Sequence, residues 1–481
     1  MKHKRFVLSI AVFLLILLPI RADEPENVMK SIKAGDIFEF NKILASRGMQ
    51  GRLSGTEGYN KAAKWAAAKF KRWGLKPVYG KDFLQPFEIS YNEMRETHFS
   101  VVLPAKEKEE KTEVLTMEIY KDFCPTLYSG FGRVEADVVF VGFGLTAPEL
   151  GWDDYRDIDV KGKIVATLRG TPQIKGKDFS KYVERQAKLD RAVKHEAAGL
   201  ILINRAVVSG SGNYTEGLPM VMVGDKVANL MFKPRGYDIQ SVKALLRDGN
   251  PLSFETGVKA MIQTIGAHHD KALTFNVVGM LEGSDPELRQ EYIIFGGHLD
   301  HLGPWPVVHP GASDNASGSA VVMGLAQAFS RLKKRPKRSI VFALFAAEET
   351  GLRGSTYMAS NLPEFPSKPV LMSNHDMNGV GTSLYVAGGK TYPELYEIML
   401  KVNTRHEINP NINAGAISHI GGNSDYAPFL EKGIPAISTW VRGGQRYGVH
   451  TAEDTIYVIT PKIMEDIVRL YFMAVYQFAN K

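Results

Sequence analysis

The chain has 481 residues, of which 44% are hydrophobic and 23% are charged. The chain is longer than a single hydrophobic core usually serves, and its composition excludes a disordered chain. Two or three globular domains are therefore expected. The formal charge is +7, but four of the basic residues precede residue 23, which leaves the rest of the chain nearly neutral. The basic run at 331–338 is interpreted as a solvated helix end, so no nucleic-acid partner is predicted. The single cysteine, Cys124, excludes an internal disulfide.

Residues 1–22 have the pattern of a signal peptide. A basic start precedes an apolar stretch from Phe6 to Ile20, and the small residue Ala22 comes just before an acidic segment. The apolar stretch is shorter than the roughly 20 residues that span a bilayer, so cleavage near Ala22 is expected. The sequence therefore predicts an exported protein, periplasmic or extracellular, with no stable membrane span after signal removal. The oligomeric state stays open.

The segment 23–123 is predicted to be the N-terminal part of the main domain. Apolar residues recur at helical spacing from Ala63 to Trp73 and stop at Gly74, which predicts an amphipathic helix. Residues 87–117 alternate between apolar and polar side chains around the charged loop 106–111, which predicts two strands joined by a turn.

The segment 124–259 has a different texture, with short β-rich runs separated by glycine and proline. Strands are predicted at 136–142, 163–168 and 200–204, with one helix at 178–198. These elements suffice for a small α/β domain, which we interpret as an insertion.

The segment 260–481 alternates apolar strands with helical segments, and is predicted to be the catalytic domain. Strands are predicted at 277–281, 292–295, 339–346, 370–374 and 436–440, and helices at 317–333, 351–361, 392–405 and 462–479. This alternation predicts an α/β fold with a mostly parallel mixed sheet flanked by helices.

Side chains that can bind metal ions follow several of these strands. The candidates are His298, Asp300, Asp314, Glu348, Glu349, Asp376 and His450. In open α/β sheets the functional site lies beyond the carboxyl ends of the strands, and the positions of His298, Glu348 and Asp376 obey that rule. The sequence therefore predicts that these side chains share one site.

The candidates suit a pair of zinc ions. Zinc prefers imidazole nitrogen and carboxylate oxygen, and two imidazoles with three carboxylates give each of two metals three protein ligands only if one carboxylate bridges. Asp300 lies two residues after His298, so on an extended chain it could accept a hydrogen bond from the second imidazole nitrogen. Adjacent glutamates point to different sides, so Glu349 could bind metal while Glu348 acts as a general base. The alternative is that the two glutamates lie at a helix N-terminus, where their charges interact favourably with the helix dipole.

Together these motifs resemble peptidase family M28, the co-catalytic zinc aminopeptidases and their relatives. Besides the metal motifs, the segments that carry the resemblance are 51–56, 276–279 and 347–355. The resemblance implies His298, Asp314 and Asp376 on one zinc ion, Asp314, Glu349 and His450 on the other, and Glu348 as the base. Residues 124–259 resemble a protease-associated domain, which in relatives sits beside the active site and restricts access.

Two positions depart from the family pattern. Val449 stands where many relatives have a tyrosine before the last histidine ligand, and Tyr447 or Tyr426 could replace its hydroxyl. The chain has Ser424-Asp425-Tyr426 where relatives often have Ser-Asp-His. Neither change removes a ligand.

The main prediction is an exported di-zinc aminopeptidase that acts on peptide or protein substrates. One alternative is a carboxypeptidase or dipeptidase, for which Arg442 and Arg446 are candidate clamps for the substrate carboxylate. Glutaminyl cyclisation and a non-catalytic binding protein on the peptidase scaffold are further alternatives.

Overall fold

The computed structural model describes residues 24–105, 112–182, 185–205, 207–208, 210, 213–247, 249–364, 369–409, 411–418, 422–445 and 448–481. The predicted signal segment 1–22 and the charged loop 106–111 lie outside the described residues. Within the described part of the chain, no helix combines the length and the apolar character needed to cross a membrane.

Helices and strands account for most of the described chain. The helices are α1 (Glu24–Ser31), α2 (Ala34–Leu44), α3 (Glu57–Arg72), α4 (Arg185–Lys194), α5 (Asp225–Phe232), α6 (Ile239–Arg247), α7 (Ser317–Ser330), α8 (Arg353–Ser360), α9 (Pro393–His406), α10 (Ala427–Glu431) and α11 (Pro461–Ala479). The strands are β1 (Lys76–Pro77), β2 (Leu84–Leu103), β3 (Glu113–Thr116), β4 (Phe123–Pro125), β5 (Gly132–Val141), β6 (Thr146–Ala147), β7 (Trp152–Asp153), β8 (Ile164–Leu168), β9 (Gly199–Ile203), β10 (Met220–Val223), β11 (Ser253–Leu281), β12 (Tyr292–His298), β13 (Ser339–Phe345), β14 (Pro369–His375), β15 (Ser383–Ala387), β16 (Ile412–Gly415) and β17 (Ala436–Arg442).

One continuous sheet organises the fold. Its order is β16-β15-β17-β14-β12-β13-β11-β5-β8-β9-β10-β4, with β1 and β2 pairing to β11 and β3 pairing to β2. Strands β13, β12, β14 and β17 run parallel, as do β5, β8, β9 and β10. The predicted mixed, mostly parallel sheet flanked by helices is confirmed.

The central strands are buried on both faces, which explains their uninterrupted apolar sequences. In β12, Ile293 and Phe295 belong to one core with residues of α7 and α11. Tyr292 and Ile294 belong to a second core on the other face, with residues of α8 and α10. Side chains of successive strand residues alternate between these two cores.

Strand β11 joins the two halves of the sheet. Its first part, from Ser253 to Thr264, pairs with β5, whereas its last part, Val277 to Leu281, pairs with β13. The domain limit predicted after residue 259 therefore falls inside a strand of 29 residues. The domain limits themselves stay a prediction.

Most residues of a further hydrophobic core come from the predicted insertion. This core includes Phe140 of β5, Ile201 of β9 and Phe232 of α5, and it also takes in Phe99 of β2 and Ala260 of β11. The predicted helix 178–198 is shorter in the structure, where α4 spans Arg185–Lys194.

A buried arginine ties the N-terminal segment to the central sheet. The Arg52 side chain is fully buried, and its guanidinium donates to the carbonyl oxygens of Leu299 (2.8 Å), Leu44 (2.6 Å), Pro310 (2.8 Å) and Gly311 (3.0 Å). Burial lowers its pKa to about 10, while nearby carboxylates act in the opposite direction, so Arg52 is a cation at neutral pH. It fixes the chain just after His298 and just before Asp314.

We expect Arg52→Met to destabilise the fold by about 3 kcal/mol or more, because four carbonyl oxygens lose their donor and nearby buried carboxylates lose a cation. Arg52→Lys keeps the charge with fewer donors and should lose less. Chemical denaturation with a metal chelator present would measure both without a contribution from metal binding. Equal midpoints for Arg52→Met and the unaltered protein would contradict this role.

Candidate metal centre

Three neighbouring parallel strands bring their carboxyl ends to one point. His298 ends β12, which lies between β13 and β14, while Glu348 and Glu349 follow β13 and Asp376 follows β14. Glycine is required beside His298, because a Cβ on Gly297 would lie 2.7 Å from the carbonyl oxygen of His375. The strand ends therefore converge as the sequence predicts.

Asp314 enters this point from the segment between β12 and α7. The two carboxylate oxygens of Asp454 accept hydrogen bonds from the backbone N–H groups of Ser313 (2.8 Å) and Asp314 (3.0 Å). This contact fixes the backbone from which the Asp314 side chain projects, and α7 begins three residues later.

The five predicted ligands lie together in two groups that share Asp314. Its Oδ1 is 3.3 Å from His298 Nε2, and its Oδ2 is 3.1 Å from His450 Nε2. The first group is completed by Asp376, with Oδ1 3.6 Å from His298 Nε2. The second is completed by Glu349, with Oε2 3.2 Å from His450 Nε2.

The donor set fits bound cations. Four carboxylates, those of the three acidic ligands and of Glu348, face two imidazoles, so negative charge remains in excess even with both rings protonated. Although burial alone lowers it, the surrounding carboxylates raise the pKa of His298 and of His450 well above the usual value. Asp376 Oδ1 is also buried with no hydrogen-bond partner among the described residues. Imidazole and carboxylate ligands of this kind suit zinc.

Both imidazoles are oriented by backbone carbonyl groups. His298 Nδ1 lies 3.3 Å from the carbonyl oxygen of Asp300, and His450 Nδ1 lies 3.1 Å from that of Val208. A nitrogen that faces a carbonyl carries the proton, which leaves the lone pair of Nε2 available to a metal ion in both rings.

The Asp300 carboxylate does not make the hydrogen bond to His298 that the sequence predicts. Its carboxylate Oδ1 is 3.7 Å from His298 Nδ1, beyond hydrogen-bond distance, because the shorter contact is made by its own carbonyl. The carboxylate instead accepts from the backbone N–H groups of Glu348 (3.1 Å) and Glu349 (3.3 Å). Asp300 therefore positions the glutamate pair.

The adjacent glutamates diverge. Glu348 Oε2 is 3.9 Å from His298 Nε2, whereas Glu349 contacts His450 and its Oε1 lies 2.7 Å from His301 Nδ1. Burial raises the pKa of the Glu348 carboxyl well above its usual value, His298 opposes this, and the Glu349 carboxylate adds to it. Glu348 is thus in an environment that favours holding a proton.

Three residues of the site were not assigned from sequence. His301 holds Glu349, Asp454 holds Asp314, and Ser424 donates to Asp376 Oδ2 at 2.6 Å. His301 follows His298 by three residues and Asp454 follows His450 by four. Closeness in sequence to a predicted ligand was therefore the one sign that these two residues belong to the site. That sign fails for His375, whose Nδ1 faces Asn378 Oδ1 at 3.1 Å and whose pKa burial lowers to about 3.

Of the two arginines considered as a clamp for a substrate carboxylate, Arg442 is among the described residues. The Arg442 guanidinium lies over the Tyr385 ring at 3.4 Å from its centroid, while Arg446 and Tyr447 lie outside the described residues. Arg442 therefore already has a binding partner within the chain.

Comparison with known proteins identifies the family. Residues 276–475 match the model of peptidase family M28. This match covers 200 of the chain's 481 residues and places that segment in family M28. This is a family of zinc-dependent metallopeptidases, so the family and enzyme class predicted from the sequence are confirmed.

The relatives include proteins named as carboxypeptidases and as aminopeptidases. A probable glutamate carboxypeptidase of Arthroderma benhamiae is 31% identical over 35% of this chain, which spans 24% of that protein. An aminopeptidase of Pseudomonas aeruginosa is 24% identical over 86% of this chain and 72% of its own length. The solved aminopeptidase from Aneurinibacillus sp. strain AM-1 shares the fold, with a TM-score of 0.66, 23% identity, and coverage of 94% of this chain and 95% of that one.

We expect Asp454→Asn to weaken metal binding. One carboxylate oxygen becomes an NH2 group that faces a backbone N–H, so the segment holding Asp314 loses a hydrogen bond and gains a repulsive contact. Zinc content after dialysis against a series of zinc buffers should fall below that of the unaltered protein. Glu453→Gln, at the exposed neighbouring position, is the matched control, and equal zinc content in both variants would contradict the assignment.

Proposed function

We propose that the chain is a di-zinc aminopeptidase that removes N-terminal residues from peptides. The observation that carries this proposal is the Asp314 carboxylate, whose two oxygens face His298 and His450 at 3.3 and 3.1 Å. This geometry supports Asp314 as the bridge, with Asp376 and Glu349 as the outer carboxylate ligands. Two zinc ions held by these residues would supply Lewis acidity toward a peptide carbonyl and would lower the pKa of water.

Glu348 is proposed as the general base. It accepts a proton from the attacking water and returns it to the leaving amine, a role for a carboxylate that lies beside the proposed ligands without being one of them. Asp300 supports it by holding the backbone N–H groups of the glutamate pair.

Tyr426 is the proposed replacement for the tyrosine absent at Val449. Burial and then the charge of Asp376 raise the pKa of its hydroxyl, so the phenol stays protonated and keeps a hydrogen that it can donate. A protonated phenol there can donate a hydrogen bond to the developing oxyanion.

The predicted insertion 124–259 is proposed as a protease-associated domain that takes part in the centre as well as limiting access. Val208 accepts from His450 Nδ1, and its own N–H donates to the His450 carbonyl at 3.3 Å. Deleting the segment would therefore remove a contact that orients a proposed ligand. Export, with cleavage near Ala22, also belongs to this proposal.

A panel of free-amino, amino-blocked and carboxyl-amidated peptides tests the specificity. We expect hydrolysis of peptides with a free amino group whether or not the carboxyl end is amidated, with about two zinc ions in the same sample. The name of the Arthroderma relative makes a carboxypeptidase the second candidate. Dependence on a free carboxylate but not on a free amine would select that candidate, and full zinc loading without turnover would select a binding protein.

We expect Glu348→Gln to retain zinc and to reduce kcat by about 10² to 10⁴, the range for loss of a general base. Metal analysis and steady-state kinetics on one preparation would measure both. Asp314→Ala is the contrasting variant, because it should lose metal as well as activity. A near-normal kcat in Glu348→Gln would refute the role of the base.

A further inference from the structure

The second half of the sheet has a cavity at its own carboxyl edge. Strands β5, β8 and β9 run parallel, and a cavity of about 400 Å³ lies where they end. Its floor is apolar and consists of Phe143, Leu168 and Ile203, each at or just after a strand end. Open α/β sheets bind ligands at this edge, and the volume lies in the range of small-ligand sites. We call this the lobe cavity.

The rim of the lobe cavity is cationic. Arg169 follows β8, while Lys243 and Arg247 project from α6, and none of the described lining residues is acidic. Lys243 is paired with Asp225, at 3.1 Å, outside the lining. Arg247 has no carboxylate within ion-pair distance among the described residues, so its positive charge is available beside the apolar floor. Asn204 and Gln240 add neutral hydrogen-bonding groups.

A buried lysine holds the cavity walls in place. The Lys188 ammonium donates to the carbonyl oxygens of Gly170 (2.8 Å) and Phe143, and these residues belong to the loops that follow β8 and β5. The same loop after β5 is held by Asp154, which accepts from the N–H groups of Phe143 (3.1 Å) and Leu145 (2.9 Å). The walls are therefore preorganised, which lowers the cost of binding a ligand.

We propose that the lobe cavity binds the carboxylate of an apolar residue, as found at the carboxyl end of a peptide. The floor accommodates the apolar side chain, and the guanidinium groups of Arg169 and Arg247 match a carboxylate in geometry and charge. The neutral amides at Asn204 and Gln240 suit the peptide group that precedes this carboxylate. The choice of a peptide as the source rests on the proposed function, whereas binding of the carboxylate does not.

Calorimetric titration of the full chain with N-acetyl-leucine tests the proposal without turnover. Arg169→Gln and Arg247→Gln should each weaken binding about tenfold or more, because each removes a charge-assisted hydrogen bond. Lys194→Gln, an exposed cation on α4, should leave the affinity unchanged. N-acetyl-leucinamide, which has no carboxylate, should not bind, and thermal unfolding temperatures of the variants would show that the fold is intact.

Two further arms separate the lobe cavity from other sites and ligands. Binding that persists in Asp314→Ala is independent of the metal centre and supports the proposal. Binding that vanishes in Asp314→Ala but survives both arginine substitutions overturns it. Inorganic phosphate that binds at least as tightly as N-acetyl-leucine, with the same dependence on the arginines, would show an anion site without preference for peptide ends and would also overturn it. If the unaltered protein binds N-acetyl-leucine as expected but hydrolyses no peptide, the result would count against the proposed function and would leave the lobe-cavity proposal standing.

Discussion

The structure depends on the concentration of buried negative charge at one edge of the sheet. Asp300, Asp314, Glu349 and Asp454 are buried together, and Glu348 and Asp376 lie beside them. Carboxylates at this density repel one another and lose hydration, so the fold is stable only if cations and oriented N–H groups offset the cost. Nearby segments supply these cations and N–H groups in different ways.

The offset comes from segments that are far apart in sequence. Arg52 supplies a cation, yet it donates to carbonyl oxygens and so keeps every carboxylate available to other partners. Asp300 and Asp454 are held by backbone N–H groups. The first turn of α7 adds the positive end of a helix dipole just after Asp314. The remaining excess of negative charge is what makes the centre suitable for divalent cations.

The sequence was informative where a ligand directly ends an apolar strand. His298, Glu348 and Asp376 could be placed at one edge because parallel strands buried on both faces are apolar throughout and point their carboxyl ends the same way. Asp314 and His450 were candidates because of their residue types, but neither ends a strand, and their assignment to particular zinc ions depended on the family resemblance. The supports for these ligands were not foreseeable, because a hydrogen bond to a backbone group, such as that of Asp454 to Asp314, leaves no side-chain pattern. The Asp300 carboxylate likewise accepts from backbone N–H groups and not from His298, and the sequence carries no sign of that contact.

The loop that carries His450 connects the predicted insertion, residues 124–259, to the rest of the candidate metal centre. Its histidine exchanges hydrogen bonds with Val208 of the inserted segment, and four residues later Asp454 holds the backbone of Asp314. One short loop therefore touches the inserted segment at one end and the proposed bridging carboxylate at the other. Because a hydrogen bond to Nδ1 sets the orientation of an imidazole ring, a displacement of the inserted segment cannot leave the orientation of His450 unchanged. The predicted insertion is thus part of the geometry that brings the two proposed metal-binding groups together.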